Sequence, residues 1–441
     1  MEELVDFDAP GGDNEHQHQL QFLRETATVS SKSVFHVDLK SDGSVQQHVS
    51  SVGCSNLANC FSAEFDDCRA TLRLLRVSRT FGPGELHPLL QLPESTFDRV
   101  FQAMGAGMAV KYLVLNDYDG FHHETTGRVS TFYLAAGVAS LVWTFDRETL
   151  ATRAMYISRG WDEGQYRKPG RIKGSRPAHY LSSFLRAFEK FQKHICSPYF
   201  LAIVTGMAMS TTFDRDTAID LQEIRQIEVD TQTGAFDTRS MRRDVKMGID
   251  YMTLSIQLAG IAASGAFNRS RHAGNLDEAL QFAACEMAAA NTSSVPESMK
   301  ELYLGSRSSL LDVIKVLRKR IGGFRSYASY FRDRSERLSQ FLLALLTHED
   351  AVSNYQVAEA AKRDSSSMKT VAIMTMAFLP ATFFSSLFAM PSLKWDKPGD
   401  VVGNGFSLYW AFSISFTVMI FILWGYVTNR RWISEKLKGK C

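Results

Sequence analysis

Two long stretches near the C-terminal end of the chain contain no acidic residue, no basic residue and no histidine. They are Thr370–Leu393, of 24 residues, and Val401–Asn429, of 29 residues. A helix needs about 20 predominantly apolar residues to cross the hydrocarbon core of a bilayer, so each stretch is long enough. Two buried helices of a soluble core are the alternative, which the length and lack of charge disfavour. The sequence therefore predicts an integral membrane protein with transmembrane helices over residues 369–390 and 406–428.

The charges that flank these stretches predict their orientation. The tail over residues 429–441 contains five Lys or Arg residues against one acid, Glu435. Lys362, Arg363 and Lys369 precede the first stretch, whereas two lysines and two aspartates balance in the loop over residues 391–405. Basic residues concentrate on the cytoplasmic side of a membrane. We therefore expect both termini in the cytoplasm and the loop outside. Because no organellar signal is evident, the plasma membrane is the expected location, with an internal membrane as the alternative.

The N-terminal segment carries no targeting signal of the usual kinds. Residues 1–15 contain six acids and neither Lys nor Arg, and they lack an apolar core. Secretory signals need a basic region followed by an apolar one, and transit peptides are poor in acids. Residues 1–33 are polar without periodicity, which predicts a disordered tail on the cytoplasmic side.

Residues 34–325 predict a cytoplasmic domain that is first α/β and then helical. Strand-like segments rich in β-branched and aromatic residues are followed, after about residue 180, by helical patterns. The predicted strands are Phe35–Leu39, Ala70–Val77, Ser130–Ala135, Ala139–Phe145 and Thr152–Ile157, and Ser95 is a candidate N-cap. The predicted helices are Tyr180–Cys196, Tyr199–Glu228, Met241–Ala263, Leu276–Ala290 and Pro296–Ile321.

The glycine pair Gly322-Gly323 predicts a helix break, because glycine weakens a helix interior. Beyond it, apolar residues recur at three- and four-residue spacing, and no Gly or Pro occurs from Ser326 until Pro380. The pattern predicts a stalk helix over residues 326–368 that continues into the first transmembrane helix.

Composition and motifs exclude several functions. Lys plus Arg number 49 and Asp plus Glu number 47, a balance that argues against a nucleic-acid partner. The sequence has no P-loop, HExxH or GxSxG motif. We therefore expect no enzymatic activity and no covalently bound cofactor; an enzyme tethered to the membrane would need a catalytic pocket that these motifs do not indicate.

The first apolar stretch carries a mildly polar stripe. Thr375, Leu379, Thr382 and Ser386 follow one another at spacings of four, three and four, which places them on one helical face. Towards the cytoplasm, we expect Met368 and Ser365 to continue the stripe. Such a face is suited to lining a pathway for a hydrated cation when several copies surround an axis. The alternative is that small hydroxyl side chains join helices by close packing.

The segments His348–Asp350, Ala361–Thr370 and Thr375–Phe383 resemble the CorA-type divalent-cation transporter family, in particular its fungal branch. The resemblance covers about 80 residues, from His348 to Val427. It implies a homopentamer in which a long stalk helix continues into a pore-lining span. It also implies Mg²⁺ as the transported ion, and as the regulatory ion of an α/β cytoplasmic funnel. With Met368 as a cytoplasmic constriction, transport would be passive and driven by the membrane potential.

The outer mouth departs from the family pattern. The family's Gly-Met-Asn motif falls on Ala389, Met390 and Pro391 when counted from Pro380. In the family, the asparagine carbonyl holds Mg²⁺ through its hydration water, whereas proline has no side-chain acceptor. Either another group substitutes, or selectivity changes, or transport is lost. The last case predicts a membrane-anchored relative that acts in assembly or signalling.

Overall fold

The computed structural model describes residues 20–24, 31–62, 68–81, 88–159, 179–231, 249–289, 295, 297–389 and 404–438. The chain divides into two compact units, Met1–Leu343 and Ala344–Cys441.

The first unit contains two β-sheets. Its strands are β1 (Gln21–Leu23), β2 (Lys32–Lys40), β3 (Val45–Val52), β4 (Cys68–Val77), β5 (Arg79–Phe81), β6 (Pro88–Pro93), β7 (Gly120–Thr126), β8 (Val129–Ala136), β9 (Ala139–Asp146) and β10 (Ala151–Ser158). Seven of them form a sheet in the order β3-β2-β4-β10-β9-β8-β7, and β1, β6 and β5 form a small second sheet. Neighbouring strands of the large sheet are antiparallel except for the central pair, β4 and β10, which is parallel.

Helices cover both faces of the large sheet and continue beyond it. Their bounds are α1 (Asn59–Ser62), α2 (Glu94–Met104), α3 (Met108–Leu115), α4 (His179–Phe191), α5 (Phe200–Asp230), α6 (Ile249–Ala289), α7 (Glu297–Phe388) and α8 (Asn404–Lys438). Short 3₁₀ helices cover Cys54–Asn56 and Gln192–His194.

Alternation along the strands divides the interior into two cores. Successive side chains of a strand point to opposite faces. Accordingly, Phe132 and Leu134 of β8 lie in the core shared with α4, α5, α6 and α7. Their neighbours Tyr133 and Ala135 lie in the core shared with α2 and α3. Because both faces are covered, the strands read as nearly continuous apolar runs.

The helices α5, α6 and α7 form a third core of their own, which includes Ile224, Ala262 and Phe331. Ion pairs also join these three helices. The paired side chains are Asp220 with Arg269 at 2.8 Å, Glu228 with Arg334 at 2.5 Å, Asp277 with Arg318 at 2.8 Å, and Asp214 with Arg320.

The predicted succession of a sheet domain followed by long helices is confirmed, and each of the five predicted strands lies within an observed one. Several boundaries differ. Residues 1–33 were predicted as a disordered tail, but β1 and the start of β2 lie within them, and Leu20 is buried. Helix α2 begins at Glu94 after Pro93, and Ser95 is inside the helix rather than at its N-cap. The two helices predicted within residues 241–290 are one, α6.

The break predicted at Gly322-Gly323 does not occur, since α7 runs through both glycines from Glu297 to Phe388. The stalk therefore has no separate start at residue 326. Two glycines in a helix cost about 2 kcal/mol relative to alanine. Ile321 and Phe324, on either side of the pair, are buried in the first core. Burial of two large apolar side chains contributes about 3–6 kcal/mol, which exceeds that cost.

Candidate pore-lining face

The second unit contains the two apolar helices. The end of α7 and the segment Phe406–Tyr426 of α8 are each long and apolar enough to cross a membrane. Only 6 % of the apolar window of each helix is buried within the structure. A core helix of a soluble protein is mostly buried, so this low burial argues against the soluble-core alternative. The predicted cytoplasmic tail over residues 429–441 is helical as far as Lys438, because α8 continues into it.

Side-chain contacts show that the two helices are antiparallel. The Lys369 Nζ atom lies 5.6 Å from the Trp424 ring centroid at one end of the pair. Further along α7, the Tyr409 hydroxyl donates a hydrogen bond of 3.1 Å to the carbonyl oxygen of Ala381. The Phe384 ring lies 6.1 Å from that of Phe412. From the Lys369–Trp424 contact to the Ala381–Tyr409 contact, residue numbers rise along α7 and fall along α8, as expected for a membrane hairpin.

One face of α7 packs against α8, and the polar stripe lies on the other side. The partly or fully buried residues of this stretch include Ile373, Met376, Pro380 and Phe384, which recur at helical spacing. Each predicted pore-lining residue is exposed, namely Ser365, Met368, Thr375, Leu379, Thr382 and Ser386. With roughly 100° per residue, the stripe from Met368 to Ser386 lies nearly opposite the packed face. Ser365 lies roughly a quarter turn from this line, so it belongs to the flank of the stripe.

The hydroxyl groups of the stripe are bonded to the helix itself. Thr375 Oγ1 donates to the Val371 carbonyl at 2.8 Å, Thr382 Oγ1 to the Leu379 carbonyl at 3.0 Å, and Ser386 Oγ to the Thr382 carbonyl at 2.9 Å. These bonds satisfy each O–H donor without a partner helix. The oxygen lone pairs remain available as acceptors, and water in the shell of a hydrated cation is a suitable donor to them.

Pro380 lies on the packed face of α7, where it is buried. Proline has no backbone N–H, so the carbonyl of Met376 loses its usual intrahelical donor. The helix nevertheless continues to Phe388. The proline therefore marks the side of α7 that faces α8 and leaves the polar stripe uninterrupted.

Only part of the predicted outer mouth belongs to the described residues. Ala389 follows the last turn of α7, is exposed, and donates its backbone N–H to the Ser385 carbonyl at 3.1 Å. Met390 and Pro391 lie outside the described residues, as does the loop that follows as far as residue 403.

Among the residues that the structure describes, no group of three or more His, Cys, Asp or Glu side chains is arranged to hold a metal ion. The consecutive residues His348, Glu349 and Asp350 lie in α7, where they point in different directions. The polar stripe was predicted from its spacing, whereas the opposite face that packs against α8 was not. That face was recognisable from Ile373, Met376, Pro380 and Phe384, which also follow three- and four-residue spacing.

Comparisons with known proteins add little to this geometry. No protein-family model and no curated protein matches the chain. Among solved structures, the chain is similar to the full-length CmaX protein, with 12 % sequence identity and a TM-score of 0.39. The similarity covers 90 % of this chain and 98 % of CmaX. The functional proposal therefore depends on the helical hairpin and on the motif around Pro380.

Proposed function

We propose that the chain is one subunit of a CorA-like transporter for Mg²⁺ or a related divalent cation. The observation that carries the proposal is the two-sided character of α7 in the second unit. One side packs against α8, and the opposite side presents Thr375, Thr382 and Ser386 without a partner helix among the described residues. Two helices alone enclose no pathway, so a pore requires several copies. A homopentamer, as the family resemblance implies, would place five copies of this stripe around one axis.

In this arrangement, α8 lies outside the ring and faces lipid. The exposed apolar side chains of α8, such as Phe412, Ile414 and Met419, suit that environment. The hydroxyl oxygens of the stripe accept hydrogen bonds from the hydration water of the ion, which suits Mg²⁺ because this ion dehydrates reluctantly. Leu379 and Met368 provide apolar narrow points, with Met368 towards the cytoplasm.

Transport in this proposal is passive and involves no covalent chemistry. The membrane potential supplies about 2.3 kcal/mol per charge per 100 mV, so a divalent cation receives about twice that amount. No coupled energy source is needed for entry into a cell with a negative interior. We place both termini in the cytoplasm and the hairpin loop outside, and we favour the plasma membrane.

Adjacent serines provide a matched test of the pore face. Ser386 belongs to the stripe, whereas Ser385 is also exposed but lies roughly 100° away around the helix. Purified protein in liposomes should take up Mg²⁺, and Ser386→Leu should reduce the initial rate at least tenfold because it narrows the pathway. Thr382→Leu should act in the same way.

Ser385→Leu is the control, and it should retain most of the flux at equal oligomer content. Equal flux in Ser386→Leu and Ser385→Leu would contradict the assignment of the stripe to a pore.

A second candidate function follows from the outer mouth. The family's Gly and Asn positions are occupied by Ala389 and Pro391. A ring of asparagine carbonyls cannot form there, which favours a relative that is anchored in the membrane without transporting ions.

Comparison of Pro391→Asn with the unmodified protein separates the two functions. If the unmodified protein transports Mg²⁺, the asparagine is dispensable. Flux that appears only in Pro391→Asn would indicate an intact pore with a disabled entrance. Absence of flux from both, with oligomers confirmed, would favour the assembly or signalling function.

A further inference from the structure

A basic cavity lies between α6 and α7 within the first unit. Its volume is about 370 Å³, within the range of small-molecule sites. Its charged lining side chains are Arg271, Arg325 and Arg332, and Ser270 and Ser329 add two hydroxyl groups. No acidic side chain of the described part of the chain lines it. Three guanidinium groups around one cavity form a positively charged site.

One arginine of this cavity, Arg325, differs from the other arginines of the helical bundle. Arg269, Arg318 and Arg334 each form an ion pair with an acid of another helix at 2.8 Å or less. Arg325, by contrast, is exposed and forms no hydrogen bond or ion pair with any residue that the structure describes. Its positive charge is therefore available for an external anion.

Arg332 has an incomplete set of partners as well. Its Nε atom is buried and has no hydrogen-bond acceptor among the described residues. The Nη2 atom of Arg332 donates to the Asp333 carboxylate at 3.4 Å. The Nε atom forms an ion pair with Glu336 at 3.6 Å, which is too long for a hydrogen bond. A buried donor without an acceptor is rare in folded proteins and calls for a missing partner. An anion in the cavity would supply one.

Small residues leave this cavity open. A β-carbon on Gly274 would lie 3.9 Å from the Cζ atom of Arg325, and Ala266 and Ala328 complete the floor. Arg271 already uses one of its N–H groups, which donates a hydrogen bond of 2.6 Å to Asp119. The guanidinium fork has further N–H groups, and two such groups bind a phosphate oxygen pair in a bidentate manner.

A second cavity of about 480 Å³ continues from the first along the same two helices. Both cavities are lined by Phe267 and Arg332. The second cavity has a different character, with hydroxyl, amide and carboxylate groups from Ser264, Ser339, Gln340 and Glu336. The Phe267 side chain is 53 % exposed, so an aromatic surface lies at the junction of the two cavities.

We propose that this pair of cavities binds a nucleoside polyphosphate. The phosphates lie in the first cavity against Arg325, Arg271 and Arg332, where several positive charges match several negative ones. The base and sugar lie in the second cavity, where a base packs on Phe267 and the polar groups bind its edge and the ribose hydroxyls. Aromatic side chains accept any base in this way. The site belongs to the first unit and does not depend on the proposed transport.

The test is calorimetric titration of the full-length protein in detergent with ATP, pyrophosphate, adenosine and inositol trisphosphate, in EDTA to exclude divalent cations. Inositol trisphosphate represents a lipid headgroup. We expect ATP to bind most tightly, pyrophosphate more weakly and adenosine weakest. Arg325→Gln should weaken ATP binding about 10- to 100-fold, as expected for loss of a charge-assisted contact.

Arg337→Gln is the matched control, because Arg337 is also exposed on α7 and lines neither cavity. It should leave ATP binding within about twofold of the unmodified protein. Equal losses in Arg325→Gln and Arg337→Gln would overturn the proposal, since the effect would then be one of net charge. Absence of ATP binding would overturn it as well. Tighter binding of inositol trisphosphate than of ATP would replace the nucleotide by a lipid headgroup.

Discussion

A stacked histidine pair on the large sheet illustrates how single residues set the response of the fold to pH. His36 of β2 and His48 of β3 are cross-strand neighbours with ring centroids 4.4 Å apart. The Nε2 atom of His36 is 2.7 Å from Ser50 Oγ. Burial, and next the positive charge of Arg73, lower the pKa of His36 from 6.5 to about 4. His36 is therefore neutral in the folded protein at physiological pH.

The first prediction follows from this depressed pKa. Between about pH 4 and 6.5, unfolded chains bind a proton at His36 that folded chains exclude. Stability should therefore fall as the pH is lowered through this window, by about 1–3 kcal/mol. His36→Phe preserves the stacked ring and removes the proton site, so it should reduce the pH dependence of thermal unfolding between pH 4 and 7.

His48→Phe serves as the control, because the His48 side chain is exposed. It should retain most of the pH dependence, because the charge of His48 contributes less to the lowered pKa of His36 than burial and Arg73 do. An unchanged slope in His36→Phe would show that other groups cause the acid sensitivity.

Among single residues, the pore-lining stripe was predictable from the sequence, whereas the basic cavity was not. The three- and four-residue spacing of Thr375, Leu379, Thr382 and Ser386 predicted a shared face, because helix periodicity alone decides it. The basic cavity was not predictable from spacing. Arg271 lies on a different helix from Arg325 and Arg332, so only tertiary packing brings them together.

In helix α7, tertiary packing overrides the local tendency of glycine to break a helix. Gly322 and Gly323 predicted a break, yet Ile321, Phe324 and Ala328 are buried and hold the helix together. The same reasoning explains α6. Its polar middle resembles a loop in sequence, whereas Ala266 and Ala273 are buried inside the bundle. β1 was missed because three residues paired with one strand leave almost no periodic signal.

The glycine pair leads to a prediction about helix stability. Outside the adjacent turns of the helix itself, no atom of the described residues lies within 4 Å of a β-carbon placed on Gly322 or Gly323. Gly322→Ala and Gly323→Ala should each raise the free energy of unfolding by about 1 kcal/mol, because alanine is the better helix former. Thermal unfolding in detergent measures the effect.

Gly137→Ala is the comparison for this prediction, and it should destabilise the protein. Gly137 has a φ of +65°, and a β-carbon there would lie 2.8 Å from the His272 ring. A loss of stability in both Gly322→Ala and Gly323→Ala would instead indicate that another chain packs against the pair.

For the whole molecule, the second unit exposes a large apolar surface that lipid or further copies of the chain must cover. Phe378, Phe383, Phe412 and Leu423 are each at least half exposed, which is unusual for a water-soluble chain. Such surface belongs in lipid or against further copies.

This exposed surface and the proposed pore both predict that several chains assemble. Native mass spectrometry in detergent should show an oligomer, with five copies expected from the family resemblance. A pore lined by one helix per chain cannot form from a monomer, so a monomer at all detergent concentrations would exclude the proposed transport. It would leave the nucleotide site untouched, since all the residues that line the two cavities belong to the first unit of one chain.

The parallel pairing of β4 with β10 has a consequence for synthesis on the ribosome. Thr71 of β4 pairs with Ala151 of β10. The edge of β4 that faces β10 therefore remains unpaired until the ribosome has synthesised the segment between the two strands. An open strand edge is prone to pairing with other chains. The whole sheet is nevertheless encoded before Glu297, where the long helix that leads to the apolar hairpin begins. A nascent chain can thus complete its sheet before the hydrophobic segments emerge. Folding of the domain is then separated in time from insertion into the membrane.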